Sequence, residues 1–180
     1  MNGLSASAVT PVTGPGFLAN EIANDAYTNK TNLNVNVVYT VVPVSASGCL
    51  GNPQSVTLTV RPEPVLATLN TTKCSDEAFG FNLAVTGTSI PAASYNITAI
   101  TPNGLTASAG SPATGSGLAA GVIADDAWTN TTNALVNVVY TVVPVSSDGC
   151  LGDSYTVTVG INPEPVITAG QVVPVCSGNA

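Results

Sequence analysis

Histidine is absent from this 180-residue chain and charge is scarce, with 3 Lys or Arg, 10 Asp or Glu and 7% charged residues in all. Without histidine there is no Ser–His or Cys–His catalytic arrangement and no histidine-ligated metal. Three basic residues against a net charge of −7 leave nothing to grip phosphate, so nucleic acid is not expected as a partner. Long hydrophobic runs are missing too. Thr, Asn and Pro interrupt every apolar stretch well before the roughly 20 residues a membrane helix needs, so membrane insertion is not expected. The four cysteines show no Cys-x-x-Cys spacing, which argues against zinc. No cofactor and no enzymatic activity are expected.

What the chain does have is small apolar and β-branched residues in regular alternation, punctuated by 17 Gly and 13 Pro. That pattern predicts short strands joined by turns and argues against disorder. Phe79, Phe81, Leu83 and Val85 alternate with smaller or polar residues, as do Tyr95, Ile97 and Ala99. The run Val136–Val145 is apolar on both faces, which predicts a central strand. Ser146-Ser147-Asp148-Gly149 then reads as a hairpin turn, and Tyr155, Val157, Val159 and Ile161 as the returning strand. Alternation fails around Ala119–Asn130, which predicts a loop or one helical turn placing Trp128 over the core, with Tyr27 in the matching place earlier in the chain.

That earlier match belongs to an internal repeat. Asn2-Gly3-Leu4 recurs as Asn103-Gly104-Leu105, Tyr39-Thr40-Val41-Val42-Pro43 as Tyr140-Thr141-Val142-Val143-Pro144, and Gly48-Cys49-Leu50-Gly51 as Gly149-Cys150-Leu151-Gly152. The offset is 101 throughout, and about 37 of 61 compared positions are identical. Pro62-Glu63-Pro64 and Pro163-Glu164-Pro165 lack two backbone donors each and read as stiff linkers. Cutting there gives an incomplete repeat at 1–63 that lacks its first strands and a complete repeat at 64–163. Residues 164–180 then match the first strand or strands of a following repeat, which a neighbouring chain can accept. Seven or so short strands per hundred residues indicate an all-β fold of tandem immunoglobulin-like sandwiches.

The cysteines follow the repeat. Cys74 and Cys150 fall within the complete unit, where a bridge would close a loop of about 75 residues worth roughly 4 kcal/mol on the chain-entropy model; two free thiols are the alternative. Cys49 matches Cys150 and Cys176 matches Cys74, so each is expected to pair with a neighbouring unit or chain, and a Cys176–Cys49 bridge would mark head-to-tail assembly. The expected source is a segment of a longer tandem array.

The residues Tyr140-Thr141-Val142-Val143-Pro144-Val145, Gly149-Cys150-Leu151-Gly152, Val157-Thr158-Val159, Asn162-Pro163-Glu164-Pro165-Val166 and Cys176-Ser177-Gly178 resemble the PKD-like repeats of giant Bacteroidota surface proteins. The resemblance covers nearly the whole chain. It implies a role outside the cell, at the cell surface, as a stalk or filament like those of SprB-type gliding-motility adhesins exported by type IX secretion. The first copy departs from it with Arg61-Pro62, and the complete unit with Cys74-Ser75-Asp76.

Two further sites compete with a purely structural role. Trp128 with Asp125, Asp126, Asn130 and Asn133, and Tyr27 in the first copy, would suit a platform for surface glycans. Burial in the core is the favoured expectation, because large aromatics usually supply buried area. Asp148 and Asp153 are the nearest thing to calcium ligands, but calcium takes six to eight oxygens and no dense Asp-x-Asp-x-Asp run exists, so solvated turn residues are expected. Lys30 matches Thr131 and is not repeated, which leaves lysine-based chemistry unsupported.

Overall fold

The computed structural model describes residues 3–7, 11–167, 170, 172, 174 and 177. Strands make up its regular structure, and the described residues contain one short 3-10 turn at Glu21–Asn24. The first repeat forms β1 (Leu4–Ala6), β2 (Tyr27–Asn29), β3 (Val35–Val41) and β4 (Gln54–Val60). β1 pairs antiparallel with β2, and β3 with β4. The complete repeat forms seven strands: β5 (Asn70–Cys74), β6 (Ser94–Thr101), β7 (Thr106–Ala109), β8 (Gly115–Leu118), β9 (Ala127–Thr129), β10 (Val136–Val145) and β11 (Tyr155–Asn162).

Five of these build one sheet in the order β5-β11-β10-β6-β8. β10 is central, as its two apolar faces predict. β5 runs parallel to β11, and the other neighbours are antiparallel. The opposite layer is the β7–β9 pair together with the extended stretch 79–85. Phe79, Leu83, Leu105, Ile123 and Trp128 on that side close over Val138, Tyr140, Val142, Val157, Val159 and Ile161 on the sheet. The fold is all-β, an immunoglobulin-like sandwich.

Two details depart from the sequence reading. The stretch 79–85 keeps its alternation, with Phe79 and Leu83 buried, but it joins no ladder. Its Phe79, Gly80 and Leu83 amides donate instead to the carbonyls of Asp126, Ala124 and Ala120, and only Val85 makes a strand-like bridge, to Leu66. In β6 the register shifts opposite Thr141/Val142, so that Ala99 turns outward and Ile100 packs on the core. A bulge of this kind resets the two-residue period.

The hairpin of the first repeat has the register of the complete one: Val35 faces Val60 as Val136 faces Ile161, and Val41 faces Gln54 as Val142 faces Tyr155. Its inward face differs. Val41, Val56 and Leu58 are 39%, 44% and 38% exposed, whereas Val142, Val157 and Val159 are 0% exposed. Leu66, Phe79 and Leu83, which cover the sheet of the complete repeat, and β6, which extends it, have no counterpart among the described residues of 1–63.

Candidate functional site: the repeat junction and its internal clamps

A hydrogen-bonded clamp ties the loop 119–130 to the central strand. The Trp128 indole Nε1–H donates to the Tyr140 hydroxyl oxygen at 3.1 Å, and that hydroxyl donates to Asp126 Oδ2 at 2.7 Å. All three side chains are buried. Burial raises the Asp126 carboxyl above its usual value, the Tyr140 hydrogen bond opposes this, and the nearby Asp125 charge adds to it. Its Oδ1 faces the Gly110–Ser111 backbone without a hydrogen bond of good geometry. Burial, reinforced by Asp126, also holds the Tyr140 hydroxyl far above the ordinary tyrosine range.

The first repeat carries the same clamp with one substitution. Tyr39 donates to Asp25 Oδ2 at 2.7 Å, and the Tyr27 hydroxyl lies 2.6 Å from that of Tyr39. Tyr27 therefore occupies the place of Trp128. Neither aromatic is laid out as a platform for sugars. The Trp128 ring is enclosed, as the core expectation has it, Asp126 is committed to Tyr140, Asn130 is buried, and Asp125 and Asn133 are exposed.

A second device escaped the sequence reading. Asn130 is fully buried, and its Nδ2 donates to the carbonyls of Ala134 (2.9 Å) and Ile161 (2.7 Å), while its Oδ1 accepts from the Thr132 amide and hydroxyl. Asn29 repeats this with Leu33, Val60 and Thr31. The signal was the Asn-x-Thr triplet, Asn29-Lys30-Thr31 and Asn130-Thr131-Thr132, at the same place in both copies. The Asn carbonyls then hold the linkers. Glu63 N–H donates to Asn29 O at 2.9 Å and Glu164 N–H to Asn130 O at 3.0 Å.

At the junction between the repeats the linker is packed rather than free. Pro62 and Pro64 are buried and Glu63 is half-buried. Burial raises the Glu63 carboxyl, with Asp153 adding to the rise and Lys30 opposing it. Gly152, just past the Cys150 turn, lies so close to the linker that a Cβ there would collide with the Pro64 carbonyl oxygen. Lys30 of the first repeat pairs with Asp153 of the second, and Arg61 Nη1 lies 3.8 Å from Asp148 Oδ2. The calcium candidates Asp148 and Asp153 thus face lysine and arginine across the junction, and no group of three or more acidic or cysteine side chains suited to a metal occurs among the described residues. A cleft of about 410 Å³ between the repeats is bounded by Asn32 and Pro62 on one side and Pro91 and Asp148 on the other.

The far end of the complete repeat shows the matching face, with no further strand packed on it among the described residues. A cleft of about 420 Å³ there is lined by Asn133, Pro163, Glu164 and Pro165. Pro163 and Glu164 are half-buried and Pro165 is exposed, where the matching Pro64 is buried.

The cysteines require a correction. Cys74 sits opposite Asn162 at one end of β11, and Cys150 lies beyond Tyr155 at the other end. The eight residues of β11, seven steps of strand, separate those ends by about 23 Å, and a disulfide needs Cα atoms within about 7 Å. The sandwich therefore keeps the pair expected to bridge within one unit apart, and Cys49, Cys74 and Cys150 are all free. Cys49 is exposed, and hydrogen bonds from Ser47 and Ser45 hold its thiol below the usual value. Cys176 lies outside the described residues.

No curated protein matches the chain. A family model described as PKD-like domain matches residues 5–64 and 71–165. Each of those segments carries its own clamp, buried asparagine and Gly-Cys turn, and by this match over most of its length the chain belongs to the PKD-like domain family.

Proposed function

We propose that this chain is a structural stretch of a long extracellular surface protein, in which PKD-like repeats follow one another as a stalk or filament. The observation that carries the reading is the junction: a buried Pro-Glu-Pro linker, anchored to a buried asparagine and flanked by two ion pairs, fixes one repeat against the next. A spacer meant only for flexibility would leave that linker solvated. Residues 164–180 supply the start of a further repeat, and the open inward face of residues 1–63 is where such a start belongs, in the same array or from a neighbouring chain.

The family type and the absence of histidine favour a mechanical role over catalysis. Among the described residues no helix is long and apolar enough to cross a membrane. Surface adhesion, of the kind that drives gliding in cells exporting proteins by type IX secretion, is the specific role that the resemblance favours. The test is antibody against residues 64–163 applied to intact cells that make the protein. Labelling of intact cells, with loss of attachment when the array is deleted, is the expected result. Labelling only after lysis would overturn the reading.

A further inference from the structure

The two cysteines of the complete repeat lie at opposite ends of the sandwich, and each end is a junction. Cys150 belongs to the end where the Pro64 linker enters. Its neighbours Asp148 and Asp153 reach Arg61 and Lys30 of the preceding repeat, and Gly152 abuts the Pro64 carbonyl. Cys74 belongs to the end where the Glu164 linker leaves. It pairs with Asn162, the next residue Ser75 donates its amide to Asn162 O at 3.1 Å, and Ser75 Oγ accepts from the Asn130 amide at 2.9 Å.

The repeat offset relates these two ends. Asn162, the strand partner of Cys74, corresponds to Arg61, and Asn130, which bonds the adjacent Ser75, corresponds to Asn29, with Thr131 after it corresponding to Lys30. Lys30 and Arg61 are the residues that meet the Cys150 turn across the existing junction. Transferred to the first repeat, the Cys74 position therefore falls on the edge that faces Cys150. Neither thiol is fully buried, and the Cys74 loop is held firmly: Glu77 accepts from the Cys74 amide at 3.1 Å, and Asp76 N–H donates to Trp128 O at 3.0 Å.

The geometry points to a disulfide between consecutive repeats, in which Cys74 of one repeat bonds the Gly-Cys turn cysteine of the repeat that follows. It rests on the tandem reading above and adds a covalent staple across each junction. Formation needs a disulfide oxidant such as oxidised glutathione. One cysteine thiolate attacks it, releasing one reduced glutathione. The second cysteine displaces the other, so two thiol protons and two electrons end on two glutathione thiols as the inter-repeat S–S bond forms. In such an array the pull along the filament passes through bonds at every junction, and the Cys49 turn is the acceptor for the repeat before it.

The test uses the full chain with residues 64–164 duplicated in place after Glu164, so that two complete repeats follow one another. In a Cys49→Ser, Cys176→Ser background, one variant keeps Cys74 in the leading repeat and Cys150 in the trailing repeat. A second keeps both in the leading repeat, and a third keeps trailing Cys74 with leading Cys150. Each is incubated with oxidised glutathione, the monomer is isolated, and free thiols are titrated after circular dichroism has verified the fold. The first variant is expected to lose both thiols while the other two keep theirs. Retained thiols in the first variant, or closure in the second, would overturn the pairing. Failure of the cell-surface labelling leaves this result standing, so the two readings fail separately.

Discussion

Residues 1–63 and 64–163 carry nearly the same residues along their shared strands, yet Val41, Val56 and Leu58 of the first are about 40% exposed while the matching Val142, Val157 and Val159 of the second are fully buried. The hairpin, its register, the tyrosine–aspartate clamp and the buried asparagine form in both. Local sequence is therefore sufficient for the hairpin and its polar fastenings. The closed core is not local. It depends on Leu66, Phe79 and Leu83, which close over the sheet, and on β6 within it, all from the earlier part of the unit. Sharing a strand pattern is not the same as sharing a core.

The comparison is most easily broken at the aromatic position. Trp128→Ala empties an enclosed site in the complete repeat and is expected to cost about 3–5 kcal/mol. Tyr27→Ala acts on a half-buried ring and is expected to cost about 1–2 kcal/mol. Urea unfolding followed by circular dichroism reads both, and equal losses would mean that the first repeat is as well closed as the second. Next in size is the asparagine. Asn130→Ala strands the carbonyls of Ala134 and Ile161, at an expected cost of about 3 kcal/mol. Asn29→Ala is expected to cost less, because the strands around it are partly open to water that takes over the vacated hydrogen bonds. An Asn29 loss matching that of Asn130 would show the fastening to be independent of core closure.

Much of this was legible beforehand, for reasons the residues make plain. β10 and β11 read correctly because valine and tyrosine alternate without interruption, and the Ser146–Gly149 turn because Gly149 takes a positive φ of 79° there. β5, with Thr71, Thr72 and Lys73, was missed because a polar edge strand carries no apolar period. That omission is what placed Cys74 beside Cys150. Once β5 is seen to run parallel to β11, the two thiols move to opposite ends. The roles of Asn29 and Asn130 were hidden for another reason. A buried polar side chain is recognised by its partners, and Ile161 lies 31 residues from Asn130.

Alkali probes the clamp. The Tyr140 hydroxyl resists ionisation because it is buried and donates to Asp126. A raised folded-state pKa means that the stabilisation is complete below the unfolded value of about 10 and is lost as pH climbs above it, by up to about 1.4 kcal/mol per unit. Tyr140→Phe is expected to flatten the fall in unfolding free energy between pH 10 and 11. The Tyr39 hydroxyl is raised as well, first by burial and then by Tyr27 and Asp25, so Tyr39→Phe tests whether the open repeat titrates in the same window. An unchanged slope in the Tyr140→Phe variant would sink the assignment.

The smallest expected effect lies at the junction itself, and its smallness is informative. Lys30 and Asp153 are about half exposed, and exposed ion pairs contribute at most about 1 kcal/mol and fade in salt. Lys30→Thr converts the first repeat to the residue that the second repeat has at Thr131. The variant is expected to lose less than about 1 kcal/mol at low ionic strength and nothing measurable in concentrated salt. The buried Pro62 and Pro64 and the Glu63–Asn29 hydrogen bond remain to hold the repeats together. A larger loss that persists in salt would mean that the two ends of the complete repeat are not equivalent junctions, since Thr131 offers no charge to a following repeat. A negligible loss leaves the buried linker as the fastening common to both ends.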